Sequence, residues 1–292
     1  MTIDPGTIPP HALRRVIETA LEEDAPWGDV TSETLIPADA TATATLAARE
    51  PGVLSGGTVF VAVMHAVDPS IRATVHADEG AAFTAGDTLA TVTGSARSVL
   101  RAERVALNLV QRMSGIATAT AAHVAAAAGT SARIVDTRKT TPGLRALERY
   151  AVRCGGGHNH RTSLSDAVLA KDNHLAVLLA GGIGIGDAIT AARQRLGHTV
   201  HVEVEVDRID QIEPVVAAGV DTIMLDNFTP AELATGVGIV AGRALVEASG
   251  GVSLDTVAAI AATGVDVISV GALTHSARAL DLGLDIAVAA GD

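Results

Sequence analysis

One loop of the sequence carries two adjacent cations. In the stretch Asp136-Thr-Arg-Lys-Thr-Thr-Pro142, Arg138 and Lys139 follow the hydroxyl side chain of Thr137 and a short apolar run. Guanidinium and ammonium groups bind carboxylates and phosphates through charge-assisted hydrogen bonds. This loop is therefore a candidate anion-binding site, and a solvated surface loop is the alternative.

A second stretch, Arg153–Arg161, combines three glycines with ionisable side chains. The glycines permit backbone conformations that are closed to other residues, and His160 and Arg161 follow them closely. A zinc site would use His158 and His160, but no third ligand lies near them in the sequence. The single cysteine, Cys154, has no activating neighbour and is interpreted as a packed thiol.

Lysine is rare in this chain. Of its 21 basic residues only Lys139 and Lys171 are lysines, and the other 19 are arginines. We interpret both lysines as positions that need a compact ammonium group, which arginine does not supply. Lys171 ends an apolar run and begins Lys171-Asp-Asn-His174, where three roles remain open: Schiff-base nucleophile, anion contact, or salt bridge with Asp172.

Carboxylates follow on the next two predicted strands. Glu203 and Glu205 share one face of a strand, because strand side chains alternate with period two. Asp226 ends the strand after that. Glu205 and Asp226 suit a Mg²⁺ ion shared with substrate hydroxyls or phosphates, and metal-free hydrogen bonding to ribose hydroxyls is the alternative.

Two glycine-containing turns follow the last two predicted strands. The backbone amides of such turns, with a helix starting near Ser253, can bind a phosphate group. In an α/β barrel the loops after the last two strands are the usual place for a phosphate. We call these turns the phosphate cradle, and its residues are Ser249, Gly250, Gly251, Val270, Gly271 and Ala272.

The candidate residues describe one type of ligand. The cations predict a pocket for an anionic group, and the two carboxylates suit hydroxyls of a sugar. The glycine turns predict a phosphate. We therefore expect a ligand with a phosphate at one end, a ribose-like middle and an anionic group at the other end.

These residues must be positioned by strand–helix units that begin after Gly129. Short apolar runs alternate with helical patterns, as is typical of parallel strands covered on both faces. The active site of an α/β barrel forms at the carboxyl ends of its strands, where the polar residues lie here. Six or seven strands can be counted, which predicts an incomplete barrel. The strands are Ile134–Asp136, Ala167–Lys171, Val200–Val206, Thr222–Leu225, Ala244–Ala248 and Val267–Val270, and the helices are Asp187–Leu196, Ile209–Ala218, Pro230–Ala241 and Leu254–Ala262.

The first part of the chain predicts a different architecture. Apolar residues at helical spacing predict a helix over His11–Glu23, and short β-rich segments occupy Thr41–Thr93. A long helix is predicted from Ser98 to Ala128. We expect an N-terminal α/β domain over residues 1–115, a barrel over 116–275, and a C-terminal helical segment over 276–292 that packs back on the N-terminal domain.

Composition limits the class of protein. A formal net charge of −12 argues against a broad nucleic-acid surface, and one cysteine excludes an internal disulfide framework. The longest apolar stretch, near Leu175–Gly186, is too short to span a bilayer, and the N-terminus lacks the pattern of a signal peptide. We therefore expect a soluble cytoplasmic protein.

Several motifs resemble those of the quinolinate phosphoribosyltransferase family. They are RAERVALNLVQRMSGIAT, DTRKTTPGLRALERYAVRCGGGHNHRTSLSDAVLAKDNH, EVEVD, MLDN, EASGG and SVGALTHS. The resemblance implies an N-terminal α/β domain with an open-faced sheet, followed by an incomplete α/β barrel. It also implies the reaction of quinolinate with 5-phosphoribosyl-1-pyrophosphate and Mg²⁺ to give nicotinate mononucleotide, CO₂ and pyrophosphate in NAD biosynthesis.

The resemblance further implies a role for each candidate residue. The family is dimeric with shared sites, so Arg104 would reach the site of the partner subunit. Arg138, Lys139, His160, Arg161 and Lys171 would bind quinolinate, Glu205 and Asp226 would hold the ribose and Mg²⁺, and Ser249, Gly250, Gly251 and Gly271 would bind the 5′-phosphate. Thr137, Val270 and Ala272 are further expected substrate-binding residues. Among all of these residues, Lys139, Lys171, Glu205 and Asp226 are the expected catalytic residues.

Three other functions remain open at this point. A phosphoribosyltransferase for another base, such as nicotinate, would have less use for so many cations and would release no CO₂. A Schiff-base aldolase would use Lys171 as its nucleophile. A phosphate-ligand sensor on a barrel scaffold would bind without turnover.

Overall fold

The computed structural model describes residues 6–287 and divides into two compact units. Among the described residues the first unit comprises 6–121, 140–156 and 273–287, and the second comprises Ala122–Lys139 and Gly157–Ala272. Neither unit is one continuous segment. Residues 140–156, which were predicted to belong to the barrel, belong to the first unit by this division.

Helices occur in both units, and most connect successive strands. In chain order they are α1 (Pro10–Asp24), α2 (Val30–Leu35), α3 (Gly57–Val67), α4 (Ala96–Ala126), α5 (Arg145–Cys154), α6 (Asp172–Ala180), α7 (Ile185–Arg195), α8 (Ile212–Ala217), α9 (Pro230–Val240), α10 (Leu254–Ala261) and α11 (Ala272–His275). A short 3-10 turn, Ile209–Gln211, precedes α8.

The strands form one sheet in each unit and a small two-stranded pair. They are β1 (Thr41–Ala48), β2 (Gly52–Val53), β3 (Arg72–Val75), β4 (Ala82–Phe83), β5 (Thr88–Ser95), β6 (Arg133–Val135), β7 (Val168–Ala170), β8 (Val202–Val206), β9 (Thr222–Asp226), β10 (Leu245–Ser249), β11 (Val267–Ser269) and β12 (Leu282–Ala287). The orders are β12-β1-β5-β3, β6-β11-β10-β9-β8-β7 and β2-β4.

The sheet of the first unit is antiparallel and open on one face. Along β1 the small and apolar side chains of Ala44 and Leu46 are fully buried, whereas Thr43, next to Ala44, is exposed. On the exposed face Thr43 and Thr93 approach each other across two strands, with 3.2 Å between their hydroxyl oxygens. The alternation follows from the period of two, and it confirms the predicted open-faced sheet.

The long helix α4 was predicted from its apolar stripe. Val110, Met113 and Ile116 lie at helical spacing, and each is almost completely buried. In the same unit the guanidinium of Arg112 donates to the carboxylate of Glu148 on α5 at 2.8 Å. Glu148 is fully buried, so this ion pair satisfies a carboxylate that would otherwise be costly to bury.

The second unit is a sheet of six parallel strands with helices between them. The strands at the two edges of the order, β6 and β7, are not paired with each other in the described part of the chain, so the barrel is incomplete as predicted. His158 extends the free edge of β6: its N–H donates to the carbonyl of Ile134 at 2.8 Å. All six predicted strands of this unit are confirmed, with shifts of at most two residues at their ends.

The prediction of a C-terminal helix was wrong. Within 276–287 the chain forms strand β12, which pairs antiparallel with β1 from Ala48↔Leu282 to Thr43↔Ala287. Alanine, leucine and aspartate suggest no strand by local propensity, but β1 offers an unpaired edge that this segment fills. Residues 288–292 of the predicted segment lie outside the described residues.

Helices α3, α5, α6 and α11 were not predicted, although the glycines that follow α5 and α6 are stop signals. Helix α3 interrupts the predicted β-rich region, where its apolar residues permit either structure. No single helix of the described part is long and apolar enough to cross a membrane, whereas α6 and α7, which meet at 104°, pass that test only as a bent pair.

Candidate active site

A cavity of about 240 Å³ lies in the second unit, at the carboxyl ends of its strands. Its position follows from the fold, because the residues that follow parallel strands gather at one edge of the sheet. Five of its lining residues can carry a positive charge. We call it the cationic cavity, and it is lined by Thr137, Arg138, Lys139, His160, Arg161, Leu169, Lys171, Met224, Glu247, Ser249 and Ser269.

The two arginines of this cavity are suited to an anion. The Nε atom of Arg138 is buried and has no hydrogen-bond partner among the described residues. Burial lowers the pKa of Arg161, and the positive charge of Arg138 lowers it further. Two guanidinium groups held this close repel each other, so a bound anion would stabilise both.

A fully buried carboxylate joins the two cationic stretches of the sequence. Asp136 directly follows β6. Its carboxylate oxygens accept the N–H of His160 at 2.8 Å and the side-chain amide of Asn159 at 2.6 Å. These bonds hold the loop with His160 beside the loop with Arg138. Asp136 and His160 are 24 positions apart in the chain, so this contact explains how the two stretches reach one cavity.

His160 lies between two buried glutamates. Its Nε2 atom is 3.2 Å from Glu203 Oε2 and 3.4 Å from Glu247 Oε2, and its Nδ1 accepts the N–H of Arg161 at 2.8 Å. The two carboxylates, against the opposing effect of burial, raise the pKa of His160. The Arg161 N–H at Nδ1 opposes a second ring proton, so the contacts favour a ring that carries one proton, on Nε2. Burial raises the pKa of Glu203 as well, against the opposing effect of His160.

A second cavity of about 410 Å³ in the same unit is acidic. We call it the acidic cavity; Glu205 and Asp226 line it together with Asp172 and Asp207. The ammonium of Lys171, which lines the cationic cavity, forms an ion pair with Glu205, which lines the acidic one. The two cavities therefore meet at this pair, and a ligand could extend from one into the other.

The carboxylates of the acidic cavity fit a magnesium ion. Glu205 and Asp226 lie on the neighbouring strands β8 and β9, and both supply the hard oxygen ligands that Mg²⁺ prefers. One oxygen of Asp226 accepts the side-chain amide of Asn227 at 2.6 Å, which leaves the other oxygen for a ligand. Asn227 itself has a φ of 61°, a strained value for a residue other than glycine, directly after the candidate ligand.

The phosphate cradle has the backbone geometry of an anion site. Gly250 and Gly251 both have positive φ, 87° and 61°, so successive N–H groups can converge on one point. A Cβ atom on Gly250 would come within 2.2 Å of Asn227 Oδ1, which excludes other residues. Ser249 lines the cationic cavity, and Val270, Gly271 and Ala272 follow the neighbouring strand β11 at the same edge of the sheet.

Three residues singled out in the sequence lie elsewhere. Arg104 is exposed on α4 in the first unit and does not line either cavity. Cys154 is fully buried, and burial raises the pKa of its thiol to about 12, as expected of a packed thiol. His158 is exposed, and it is not part of the cluster of potential metal ligands found among the described residues, which is His160, Glu203 and Glu247.

Sequence reasoning missed four residues that line the cationic cavity: Leu169, Met224, Glu247 and Ser269. Each lies inside or at the end of a predicted strand, and none was given a role. A signal was present, because Glu247 and Ser249 alternate on β10 as Glu203 and Glu205 do on β8. Glu203 was noted only as a neighbour of Glu205 and received no role.

The fold and the two cavities define an α/β-barrel protein whose site is suited to anionic, phosphate-bearing ligands. Sequence comparison gives the family. The chain belongs to the quinolinate phosphoribosyl transferase family, because the family's C-terminal domain matches residues 116–285 and its N-terminal domain matches residues 29–114.

Individual relatives agree with this assignment. The chain is 45% identical to a nicotinate-nucleotide pyrophosphorylase [carboxylating] of Mycobacterium leprae, over 94% of this chain and 97% of that protein. The structure of NadC from Streptococcus pyogenes matches with a TM-score of 0.92 at 39% identity, over 98% of this chain and 100% of that one. A human nicotinic acid phosphoribosyltransferase, at 16% identity and a TM-score of 0.61 over 94% of this chain and 74% of that one, shares only the fold.

Proposed function

We propose that this protein is a decarboxylating quinolinate phosphoribosyltransferase. It joins quinolinate to 5-phosphoribosyl-1-pyrophosphate and releases nicotinate mononucleotide, CO₂ and pyrophosphate. The observation that carries the proposal is the cationic cavity next to the acidic cavity, with the ion pair of Lys171 and Glu205 where they meet. Family membership and the relatives described above support the same activity.

The cationic cavity suits the dianion quinolinate. Arg138, Arg161 and the two lysines offer enough donors for both of its carboxylates, in a place where burial strengthens each hydrogen bond. Nicotinate has one carboxylate and would leave part of this positive charge without a partner. The second carboxylate is therefore the group by which the site would distinguish the two acids.

The acidic cavity suits the ribose and its leaving group. Departure of pyrophosphate leaves positive charge on the sugar ring, which the carboxylates of Glu205 and Asp226 can stabilise. The same two residues would hold Mg²⁺, which supplies charge neutralisation to the pyrophosphate when it is bound. The phosphate cradle would bind the 5′-phosphate through its backbone N–H groups.

Decarboxylation needs no further cofactor in this scheme. Transfer of the ribose to the ring nitrogen makes the pyridine ring cationic, so the electron pair of the breaking C–C bond is stabilised on the ring carbon beside that nitrogen. This carbon then takes up a proton to give the product. The arginines hold the remaining carboxylate and so keep the ring in place. We therefore place phosphoribosyl transfer before loss of CO₂.

One incubation tests the proposal. The protein is given 5-phosphoribosyl-1-pyrophosphate and Mg²⁺ with either nicotinate or quinolinate labelled at the 2-carboxylate, and nucleotide and labelled CO₂ are measured. We expect both products from quinolinate alone, and no turnover after chelation with EDTA until Mg²⁺ is restored. Product from nicotinate alone would refute the substrate assignment, and no product from either acid would refute the activity.

The assembly and the location of the protein complete the proposal. We propose a homodimer in which Arg104 of one subunit completes the site of the other, since Arg104 is an exposed cation away from both cavities. The cytoplasmic location, without a nucleic-acid or membrane partner, remains a prediction from the sequence.

A further inference from the structure

Two buried glutamates beside the cationic cavity have no role in the reaction as described so far. Glu203 on β8 and Glu247 on β10 are each only 3% exposed, and one strand, β9, separates them in the sheet. Placing two carboxylates within reach of each other in the interior is costly unless they bind something in common. What they share is the imidazole of His160, at 3.2 and 3.4 Å.

The hydrogen bonds of the imidazole fix where its proton lies. Nδ1 accepts the backbone N–H of Arg161 at 2.8 Å, which requires a lone pair on Nδ1. Nε2 must then carry the proton, and it lies between the two carboxylate oxygens as a donor. Both ring nitrogens are therefore used inside the protein, and neither is free to donate to a substrate.

The same contacts argue against a metal ion among these three side chains. A metal would take the lone pair of Nε2, and the ring would then have to carry its proton on Nδ1. A protonated Nδ1 would face the N–H of Arg161 at 2.8 Å, so two donors would point at each other. The cluster is better explained as a hydrogen-bonded support than as a metal site.

We propose that Glu203 and Glu247 are positioning residues for quinolinate, acting through His160 on Arg161. The carboxylates hold the ring by its Nε2 proton, and the ring holds the main chain of Arg161 by Nδ1. The side chain of Arg161 donates to the carbonyl of Ala167 at 2.9 Å, which fixes its other end. Arg161, whose guanidinium would bind a quinolinate carboxylate, is thereby held at its main chain and at its side chain. This inference rests on the proposed function.

The first measurement separates the two substrates. Glu203→Gln and Glu247→Gln keep the shape of the side chain but remove its charge and place a competing donor beside Nε2. We expect each to raise the KM for quinolinate about tenfold, while the KM for 5-phosphoribosyl-1-pyrophosphate stays within about twofold. Equal changes in both constants, or no change in the quinolinate constant, would overturn the inference.

Glu79→Gln is the matched control. Glu79 is a half-buried glutamate of the first unit that accepts the backbone N–H of Gly56 at 2.8 Å. Its substitution also weakens a carboxylate–main-chain contact, but Glu79 does not line the cationic cavity. We expect a lower Tm with both KM values unchanged. A selective rise in the quinolinate KM of this variant would show that the readout reports stability, and would overturn the inference.

A double-mutant cycle tests the path through His160. If the glutamates act through the imidazole, Glu203→Gln has no further effect on the quinolinate KM in a His160→Ala background. A full additional tenfold loss in that background would show that Glu203 acts independently of His160. If His160→Ala does not fold, direct titration of the two glutamate variants with quinolinate decides, since each must bind it about tenfold more weakly than the unaltered protein.

Failure of this inference is distinguishable from failure of the proposed function. Without quinolinate turnover by the unaltered protein, the function itself is refuted. With normal turnover by the unaltered protein and unchanged quinolinate constants in both glutamate variants, the function stands and the positioning role is refuted.

Discussion

Lys139 and Lys171 line one cavity from two different loops, although the sequence shows only that both are rare. Lysine presents a compact ammonium, and the ion pair of Lys171 with Glu205 at the junction of the two cavities uses a single point of charge. The planar guanidinium of arginine is wider and would displace its neighbours there. The rarity of lysine therefore pointed to two residues of one cavity, although no local motif links them.

Arginine should consequently fail to replace either lysine. We expect Lys139→Arg and Lys171→Arg each to lower kcat/KM at least tenfold, about 1.4 kcal/mol in the transition state, although the charge is preserved. Arg243→Lys is the matched control, because Arg243 precedes β10 at the opposite end of the strands and pairs with Glu213. Unchanged kinetics in both lysine variants would mean that the bias reflects codon usage alone.

Cys154 should be chemically inert. Its thiol is fully buried, and burial raises its pKa to about 12, so the reactive thiolate is almost absent at neutral pH. We expect no labelling by iodoacetamide at pH 8 in the folded protein, full labelling after denaturation, and unchanged turnover in Cys154→Ala. Rapid labelling of the native protein, measured by mass spectrometry, would contradict the interpretation as a packed thiol.

At the residue scale, the sequence indicated those residues whose role follows from the type of side chain. It did not indicate residues whose role depends on a contact between distant parts of the chain. Arg138, Lys139, Arg161 and Lys171 were predicted to form one cationic pocket, and all four line the cationic cavity, because cations after strands gather at one edge of a sheet. Glu247 was not assigned, because its contact with His160 joins residues 87 positions apart across the interior of the unit. No local spacing records such a contact.

The turn after β10 depends on two consecutive left-handed residues, and this gives a prediction at the scale of an element. Gly250→Ala would strain the backbone at a φ of 87° and press its Cβ against Asn227. We expect the KM for 5-phosphoribosyl-1-pyrophosphate to rise at least tenfold, with the KM for quinolinate nearly unchanged, because Gly250 lines neither cavity and would contact only the phosphate.

Gly242→Ala is the control for backbone strain alone. Gly242 also has a positive φ, 74°, but a Cβ atom added there would meet no atom within 4 Å, and the residue precedes the same strand at the other end. This variant should lose about 1–3 kcal/mol of stability without a change in either KM. Equal kinetic effects of the two substitutions would remove the phosphate cradle from the site.

Strand β12 shows why the C-terminal element escaped prediction. Its stability comes from pairing with β1, more than 230 residues earlier in the chain, rather than from its own sequence. Leu282 is 2% exposed, so Leu282→Ala should cost about 2–4 kcal/mol of unfolding free energy. Asp285→Ala, which removes only a half-exposed ion pair with Arg49, should cost less than about 1 kcal/mol.

Thermal unfolding of the two variants checks this. A large fall in Tm for Leu282→Ala with a small one for Asp285→Ala would support the strand as an integral part of the first unit. Similar Tm values for Leu282→Ala and the unaltered protein would show that the pairing contributes little. By contrast, the six strands of the second unit were predictable, because their apolar runs are continuous and regularly spaced.

The assembly makes the last prediction, at the scale of the whole molecule. If Arg104 serves the partner's site, a dimer of one Arg104→Ala subunit and one Lys171→Ala subunit contains one intact site and one with both defects. Such mixed dimers, isolated by two different affinity tags, should show about half the activity of the unaltered dimer. If Arg104 served its own subunit, both sites would be defective and activity would be absent.

The reciprocal mixture gives the opposite outcome. The second mixture is a dimer of one unaltered subunit and one subunit with both Arg104→Ala and Lys171→Ala. If sites are shared, the site of the unaltered subunit lacks the partner's arginine, and the site of the altered subunit lacks its own lysine. Each site then has one defect. This mixture should be inactive, whereas separate sites would leave it half active. The two mixtures contain the same substitutions in the same numbers, so differences in folding or expression cannot decide which of the two is active. Only a contribution of Arg104 to the partner's site can make the first mixture active and the second inactive.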